Sequence, residues 1–330
     1  MKYLNLGHSG LKVSQLCLGC MSYGKGKMHA GWTLGEQDSL PFFRLAIEKG
    51  VNFFDTADIY SEGASEIITG KALREYARRD EVVIATKYFA PMGPGVNERG
   101  ASRKHIMAAV DASLKRLGTD HIDLYIQHGW DATVPVEESL RALDDLVRMG
   151  KVLHIGASNF KAWQLAKAIQ IQTRYGLTRF ISMQVQYNLV YREEEREMIP
   201  LCQDQGIGVT AWSALARGFL AGNRTVDGGG ATDRAKTDAF AQSLYYSGAD
   251  FAVQARLAEV AAAKGVPPMQ VALAWIASRP GVTAPIIGAT KIAQLEQAID
   301  ATEISLDPAE VEQLEEPYVT RMPAFAMGSR

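Results

Sequence analysis

VNFFDTADIYSEGASEIITGKALREYARRDEVVIATK, residues 51–87, holds one complete unit of the chain's architecture. It opens on the run Val51 to Asp55, crosses a loop and a longer segment, and closes on a second run, Val82 to Lys87. Both runs are apolar on successive residues (VNFF, VVIA), the pattern of parallel strands buried on both faces. The unit recurs in both directions. Further runs lie at Ser14 to Leu18, Ile122 to Gln127, Val152 to Ala157, Ile181 to Gln186, Gly208 to Trp212 and Ala284 to Ile287. Segments between them have helical period, with Val110, Leu114 and Leu117 on one face and Leu140, Leu143 and Val147 on another. Gly50, Gly118, Gly150 and Gly206 stand where such helices stop, each just before the next strand. Eight such units, spaced by about 25 to 40 residues, are what a (β/α)8 TIM barrel needs. An open doubly wound sheet is built from the same alternation.

The 330 residues could make two domains of about 150 each, but a barrel takes the whole length as one. No linker or composition shift divides the chain, so a single domain over 1–330 is expected. Lys plus Arg is 35 and Asp plus Glu is 37, a net charge of −2. That balance lacks the cationic footprint of a nucleic-acid or membrane-surface partner. No apolar run is long enough to span a bilayer, and the N-terminus has no apolar core of a signal peptide. A cytoplasmic location is the expectation. Cys17, Cys20 and Cys202 are too few for a disulfide framework, and no second pair completes a metal site around the C-x-x-C. No metal is expected.

Two additions break the repeat. Residues 1–12, with Gly7 and Ser9-Gly10 as turn signals, suit a hairpin that plugs the barrel's bottom. The stretch from Arg217 to Asp250 carries Gly228-Gly229-Gly230 and no period, which suits a long functional loop after the seventh strand. Phe251 to Lys264 and Pro268 to Ser278 read as extra helices, and Asp307, Pro308 and Glu310 supply the start of a terminal one.

Barrel chemistry sits at the C-terminal ends of strands. Asp55, Lys87 and His128 occupy three such ends, and Tyr60 lies on the loop after Asp55. Singly, Asp55 reads as a helix cap, Lys87 as a solvated strand end, Tyr60 as packing and His128 as a core histidine. Together they read as a site. A Lys ammonium within about 4 to 6 Å lowers a phenol's pKa, a buried Asp keeps that Lys charged, and an imidazole can orient a carbonyl oxygen. Gly19, Gly24 and Lys25 have the spacing of a phosphate-binding P-loop, but Gly26 stands where Ser or Thr must hold magnesium.

Several stretches make the chain recognisable: LGHSGLKVSQLCLGCMSYG (6–24), FFDTADIYSEGASE (53–66), VVIATKY (82–88), IDLYIQHGWD (122–131), GKVLHIGASNF (150–160), MQVQYN (183–188), AWSALARGFL (211–220) and APIIGATKIAQLEQA (284–298). Along essentially its whole length the sequence resembles the aldo-keto reductase superfamily, in its bacterial and fungal branches. The resemblance implies reduction of an aldehyde or ketone by hydride from NADPH, with NADH the lesser choice. It makes Tyr60 the general acid, Lys87 the group that lowers its pKa, Asp55 the partner of Lys87, and His128 the residue that orients the carbonyl. It implies a cofactor site without a Rossmann fold, and no G-x-G-x-x-G lies between a strand and a helix here. Ser158, Asn159 and Gln184 match the groups that hold the nicotinamide carboxamide, and Trp212 the ring that stacks on it. Ser213, Ala214, Leu215 and Arg217 match the stretch around the pyrophosphate, and Arg234 a clamp on the adenosine end. Gly288, Thr290, Lys291, Gln294 and Gln297 match the last turn, where helix amides and Lys291 suit a 2′-phosphate. Gly19, Cys20, Met21 and Asp55 complete the implied cofactor contacts. The chain departs from the family at Cys20, where Thr is common, and at Ala298, where Asn is common.

Tyr23, Trp32, Tyr88 and Trp130 are candidate walls of an apolar, aromatic substrate pocket, with the tail Met322 to Arg330 a candidate cover. The superfamily also contains cofactor-sensing regulatory subunits, which is the alternative function. A lyase using Lys87 as a Schiff-base nucleophile is a third reading.

Overall fold

Each apolar run becomes a strand because its neighbours offer the same two-sided burial. In the computed structural model, which describes residues 1–26, 31–222, 224–225, 230 and 238–322, a short hairpin precedes the barrel. It pairs β1 (Tyr3–Asn5) antiparallel with β2 (Lys12–Ser14). The barrel strands follow as β3 (Cys17–Gly19), β4 (Phe53–Asp55), β5 (Val83–Tyr88), β6 (Ile122–Gln127), β7 (Val152–Ser158), β8 (Phe180–Gln186), β9 (Gly208–Trp212) and β10 (Val282–Ile287). They close in the order β10-β3-β4-β5-β6-β7-β8-β9, all parallel. This is the (β/α)8 TIM barrel.

Around it run α1 (Glu36–Glu48), α2 (Ala64–Tyr76), α3 (Arg103–Leu117), α4 (Val136–Arg148), α5 (Ala162–Tyr175) and α6 (Met198–Gln205). After β9 come α7 (Ala239–Leu244), α8 (Gly248–Lys264) and α9 (Pro268–Ala277), then α10 (Ile292–Asp300) and α11 (Pro308–Glu315). The terminal helix starts as its sequence requires. Asp307 accepts from Glu310 N, and the Glu310 carboxylate accepts from Asp307 N, each at 2.9 Å. Arg234 and residues 323–330 lie outside the described residues. Among the described residues no single helix is long and apolar enough to cross a membrane.

Two apolar layers hold the barrel. Phe53, Val83, Ala85, Leu124, Ile126 and Ala284 fill its interior, and a larger shell packs between strands and helices. Leu6 and Val13 of the hairpin join the inner layer from below, so the plug is part of the core. The expected first strand, Ser14 to Leu18, is in fact two pieces. Lys12–Ser14 belongs to the hairpin and Cys17–Gly19 to the barrel. Gln15 N donates to Lys2 O, and Ser14 N is held by Asn52 Oδ1, which turns the chain between them. The bend falls at the polar Ser14-Gln15 pair, whose partners Asn52 and Lys2 are not visible from local sequence. Cys17 lies in the inner layer and Cys20 in the outer shell, on opposite sides of the barrel wall.

Positive-φ backbone occurs at both ends of the barrel, and glycines such as Gly24, Gly63, Gly100 and Gly218 supply part of it above. Below, Gly50, Gly118, Gly150 and Gly206 end helices at positive φ. Above, the positive-φ residues that carry side chains are Ser61, Glu62, Phe89, Asn159, Ser213, Ala216, Arg217 and Tyr246. All but Tyr246, which lies between α7 and α8, are in connections that directly follow the C-terminal end of a strand.

Candidate active site

Strand alternation aims Asp55, Lys87 and Ser158 into the barrel's upper end. Lys87 has no exposed surface. Its ammonium donates to Asp55 Oδ1 at 2.6 Å, to Thr56 O at 2.8 Å and to the Tyr60 hydroxyl at 3.2 Å. All three of its protons are therefore engaged. Asp55 Oδ2 accepts from Gln184 Nε2 at 2.8 Å, which ties β8 to the same cluster. Burial alone would push Lys87 down, but Asp55 and Tyr60 outweigh it and hold Lys87 above the ordinary lysine range.

Tyr60 is placed by a tight turn. Asp58 N donates to Lys87 O, Tyr60 N donates to Ala57 O, and Ser61 and Glu62 follow at φ 48° and 59°. The Ser61 hydroxyl donates to Gly24 O at 2.8 Å and pins the turn to the end of the first barrel connection. Lys87 was expected to set the phenol below its ordinary value. It does pull in that direction, but burial is the larger influence and the net shift is upward. Sequence shows the cation and not the depth of burial. The consequence is a phenol that keeps its proton at neutral pH.

His128 sits just beyond β6, nearly buried, with its ring 6.1 Å from that of Tyr60 and close to perpendicular at 81°. Burial, then Lys87, push its pKa well below the ordinary imidazole range, so the ring is neutral. Its Nδ1 has no hydrogen-bond partner among the described residues.

Beside this cluster lies a row of amides and hydroxyls. Ser158 and Gln184 are register partners on β7 and β8. Asn159, at φ 57°, donates from Nδ2 to His128 O and Ser158 Oγ, and accepts from Trp212 Nε1 at 3.0 Å. Trp212 is half-buried at the end of β9. Ser213, Ala216 and Arg217 then turn through positive φ, with Ala214 buried and Leu215 half-buried between. Arg217 Nε donates to Asp238 Oδ2 at 2.7 Å, and both side chains are nearly buried. On the far side, Gly19 ends β3, Met21 is half-buried, and Cys20 is fully buried with its thiol in the outer core and its carbonyl accepting from Ser65 Oγ. Exposed Gly288 and Lys291 and half-buried Thr290, Gln294 and Gln297 surround the start of α10. There Gln294 Oε1 accepts from Thr290 N and Lys291 N at 3.1 Å each.

The expected pocket walls divide. Tyr23 has no exposed surface and packs on Phe42 and Phe43 at 5.5 and 5.1 Å. Tyr88 is equally buried, stacks on Tyr125 at 5.0 Å and donates to Gln127 Oε1. Neither faces the mouth. Lys87 points inward, so its successor points outward. Trp32 is half-buried, whereas Trp130 is nearly buried in the outer shell, edge-on to Phe160 and Trp163 at 5.3 and 5.8 Å. Sequence reasoning also missed Tyr245. Its hydroxyl accepts from Gln186 and Asn188 and contacts Ser213 Oγ, bracing the turn after β9 from a distant helix end.

The barrel mouth thus brings together an Asp–Lys–Tyr–His cluster and an adjoining row of amides and hydroxyls. The family model described as "Aldo/keto reductase family" matches residues 15–318. Versiconal hemiacetal acetate reductase of Aspergillus parasiticus is 44% identical, over 97% of this chain and 98% of that one. A Schizosaccharomyces pombe protein named "Putative aryl-alcohol dehydrogenase C977.14c" is 41% identical, over 95% and 94%. The aldo-keto reductase dtxS3 of Metarhizium robertsii is 43% identical, over 96% and 91%. With that match along nearly all of its length, the chain belongs to the aldo/keto reductase family and is an oxidoreductase.

Proposed function

We propose that this chain reduces aldehydes and ketones to alcohols with NADPH, Tyr60 acting as general acid. The observation that carries the reading is Lys87, fully buried and shared between Asp55 Oδ1 and the Tyr60 hydroxyl. Bound nicotinamide supplies the hydride. The carbonyl oxygen that gains charge then needs a proton, and the Tyr60 Oη proton moves to it. Lys87 Nζ stabilises the phenolate left behind, and Asp55 keeps Lys87 charged. The neutral His128 ring, edge-on to Tyr60, orients the carbonyl without adding a second cation.

The residues present fit a nicotinamide dinucleotide. Ser158, Asn159 and Gln184 offer donors and acceptors to a carboxamide, and the half-buried face of Trp212 offers a stacking surface. The positive-φ turn from Ser213 to Arg217 suits a pyrophosphate, and exposed Lys291 at the start of α10 suits a 2′-phosphate over a bare ribose. The printed name of the S. pombe relative supports aromatic aldehydes as substrates. A Schiff-base role for Lys87 needs a neutral amine, which its engaged and upshifted ammonium opposes.

The test is NADPH and NADH oxidation across aromatic and aliphatic aldehydes, for wild type and Tyr60→Phe. The variant should bind NADPH as wild type does and lose about 10²- to 10⁴-fold in turnover. Full turnover by Tyr60→Phe refutes the acid assignment. A wild type that binds NADPH yet reduces no carbonyl favours the regulatory reading.

A further inference from the structure

Phe89 lies two residues beyond Lys87, half-buried, at φ 146°, a backbone setting that a residue with a bulky side chain rarely adopts. Such a conformation lasts only where its surroundings over-determine it. Phe89 O accepts from Gly100 N at 2.8 Å, and within the loop Met92 N donates to Glu98 O and Gly95 N to a Glu98 carboxylate oxygen. Residues 89–100 are thus a closed loop on the rim beside the Lys87 strand.

Two fastenings join that loop to the one carrying His128. At its start, His128 N donates to Tyr88 O at 3.0 Å. At its end, Asp131 Oδ2 accepts from Ala101 N at 2.8 Å. Asp131 Oδ1 meanwhile accepts from Thr133 N and Thr133 Oγ1, which fixes the carboxylate in its own loop. The approach is so close that a Cβ at Gly100, itself at φ 83°, would stand 2.5 Å from Asp131 Oδ2. Ser139 Oγ, from α4, secures Ala101 O on the other side. Burial works against a charged Asp131, but the bonds from Thr133 and Ala101 outweigh it and hold the carboxyl below its ordinary range.

We propose that Asp131 is a positioning residue: it latches the Phe89 loop to the His128 loop and thereby sets how bulky a carbonyl the mouth admits. The proposal rests on the carbonyl-reductase reading above. Asp131 bonds to Ala101 and Thr133 and not to Tyr60 or Lys87, so its loss acts on the fit of the substrate and not on the chemical step.

The experiment compares Asp131→Ala, Phe89→Gly and the double variant, with propanal as the small substrate and 2-naphthaldehyde as the bulky one. Asp131→Ala should raise KM for 2-naphthaldehyde about tenfold, the scale of losing a hydrogen bond to a charged group. For propanal kcat should stay within about twofold, and NADPH affinity should be unchanged. Hydrogen exchange at the Gly100 and Ala101 amides should quicken by about tenfold or more. In the Phe89→Gly background the strain is gone, and Asp131→Ala should add nothing further to KM. Equal rises in KM for both substrates, or the same tenfold effect with Phe89 removed, would overturn the latch. If Asp131→Ala does not fold, Asp131→Asn keeps the volume but has one acceptor oxygen for the Ala101 and Thr133 donors to share. It should give the same KM split at reduced size, and the absence of that split overturns the latch. A wild type that reduces neither aldehyde defeats the underlying reading, an outcome distinct from a reductase whose KM ignores Asp131.

Discussion

Replacing Lys87 with Met separates the electrostatic role of this residue from its bulk. The Met side chain is similar in volume, so the inner packing is kept and the loss is one of charge and hydrogen bonds. Of the three acceptors that lose a donor, the neutral Tyr60 hydroxyl can lose its partner at the cost of one hydrogen bond. Asp55 cannot: it is 3% exposed and keeps only the Gln184 amide. A carboxylate stranded in this way costs about 3 to 5 kcal/mol, several times the worth of an ordinary hydrogen bond. Asp55→Asn alone strands Lys87 and should cost a similar amount. The double variant leaves no unpaired charge, so its loss should fall well short of the sum of the two singles. Urea-unfolding midpoints followed by tryptophan fluorescence read these stabilities, and NADPH oxidation reads activity on the same samples. Stability should return in the double variant while turnover stays lost, because Tyr60 still lacks its cation. Additive losses, or a Lys87→Met cost under about 1 kcal/mol, would refute the claim that this pair is a buried, mutually dependent unit.

Two further outcomes follow from the same geometry. With Tyr60 shifted upward and His128 shifted downward, both stay in their working forms through neutrality. kcat/KM for carbonyl reduction should be level from about pH 6 to 9 and fall only as the phenol ionises, whereas alcohol oxidation, which needs the ionised phenol, should rise with pH. A reduction profile already falling at pH 7.5 would contradict that assignment. In the scaffold, a Cβ on Gly70 would sit 1.9 Å from Leu117 O, where α2 meets α3, while one on Gly150 would meet nothing within 4 Å. Gly70→Ala should therefore lower the melting temperature far more than Gly150→Ala, whose cost is only the backbone strain of about 1 kcal/mol.

The barrel was legible because its signals are local. Two-sided apolar runs, helix-stopping glycines and the Asp307 cap each act within a few residues, and apart from the divided first strand they appear where expected. The Asp55, Lys87 and His128 positions were legible for the same reason, since a strand end is visible as the last residue of an apolar run. What sequence hid depends on direction and depth. Tyr88 and Phe89 differ by one residue, yet one is sealed behind the barrel and the other sits on the rim in a strained conformation. The Tyr60 shift turns on how much protein surrounds the phenol. Tyr245 braces the turn after β9 from more than thirty residues away, a pairing that no spacing rule anticipates.

The turns above the barrel that carry side chains at positive φ mark where stability is open to gain. Glycine makes the left-handed turns below at little steric cost, while Ser61, Glu62, Phe89, Asn159, Ser213, Ala216, Arg217 and Tyr246 make theirs above with side chains attached. Each of those conformations costs of the order of 1 to 3 kcal/mol. A library of glycine replacements confined to the rim would thus find thermostable variants quickly, and most would be poorer catalysts. Selection for a hotter habitat would meet the same choice at the same positions, and the hairpin end of the barrel would have little to offer it.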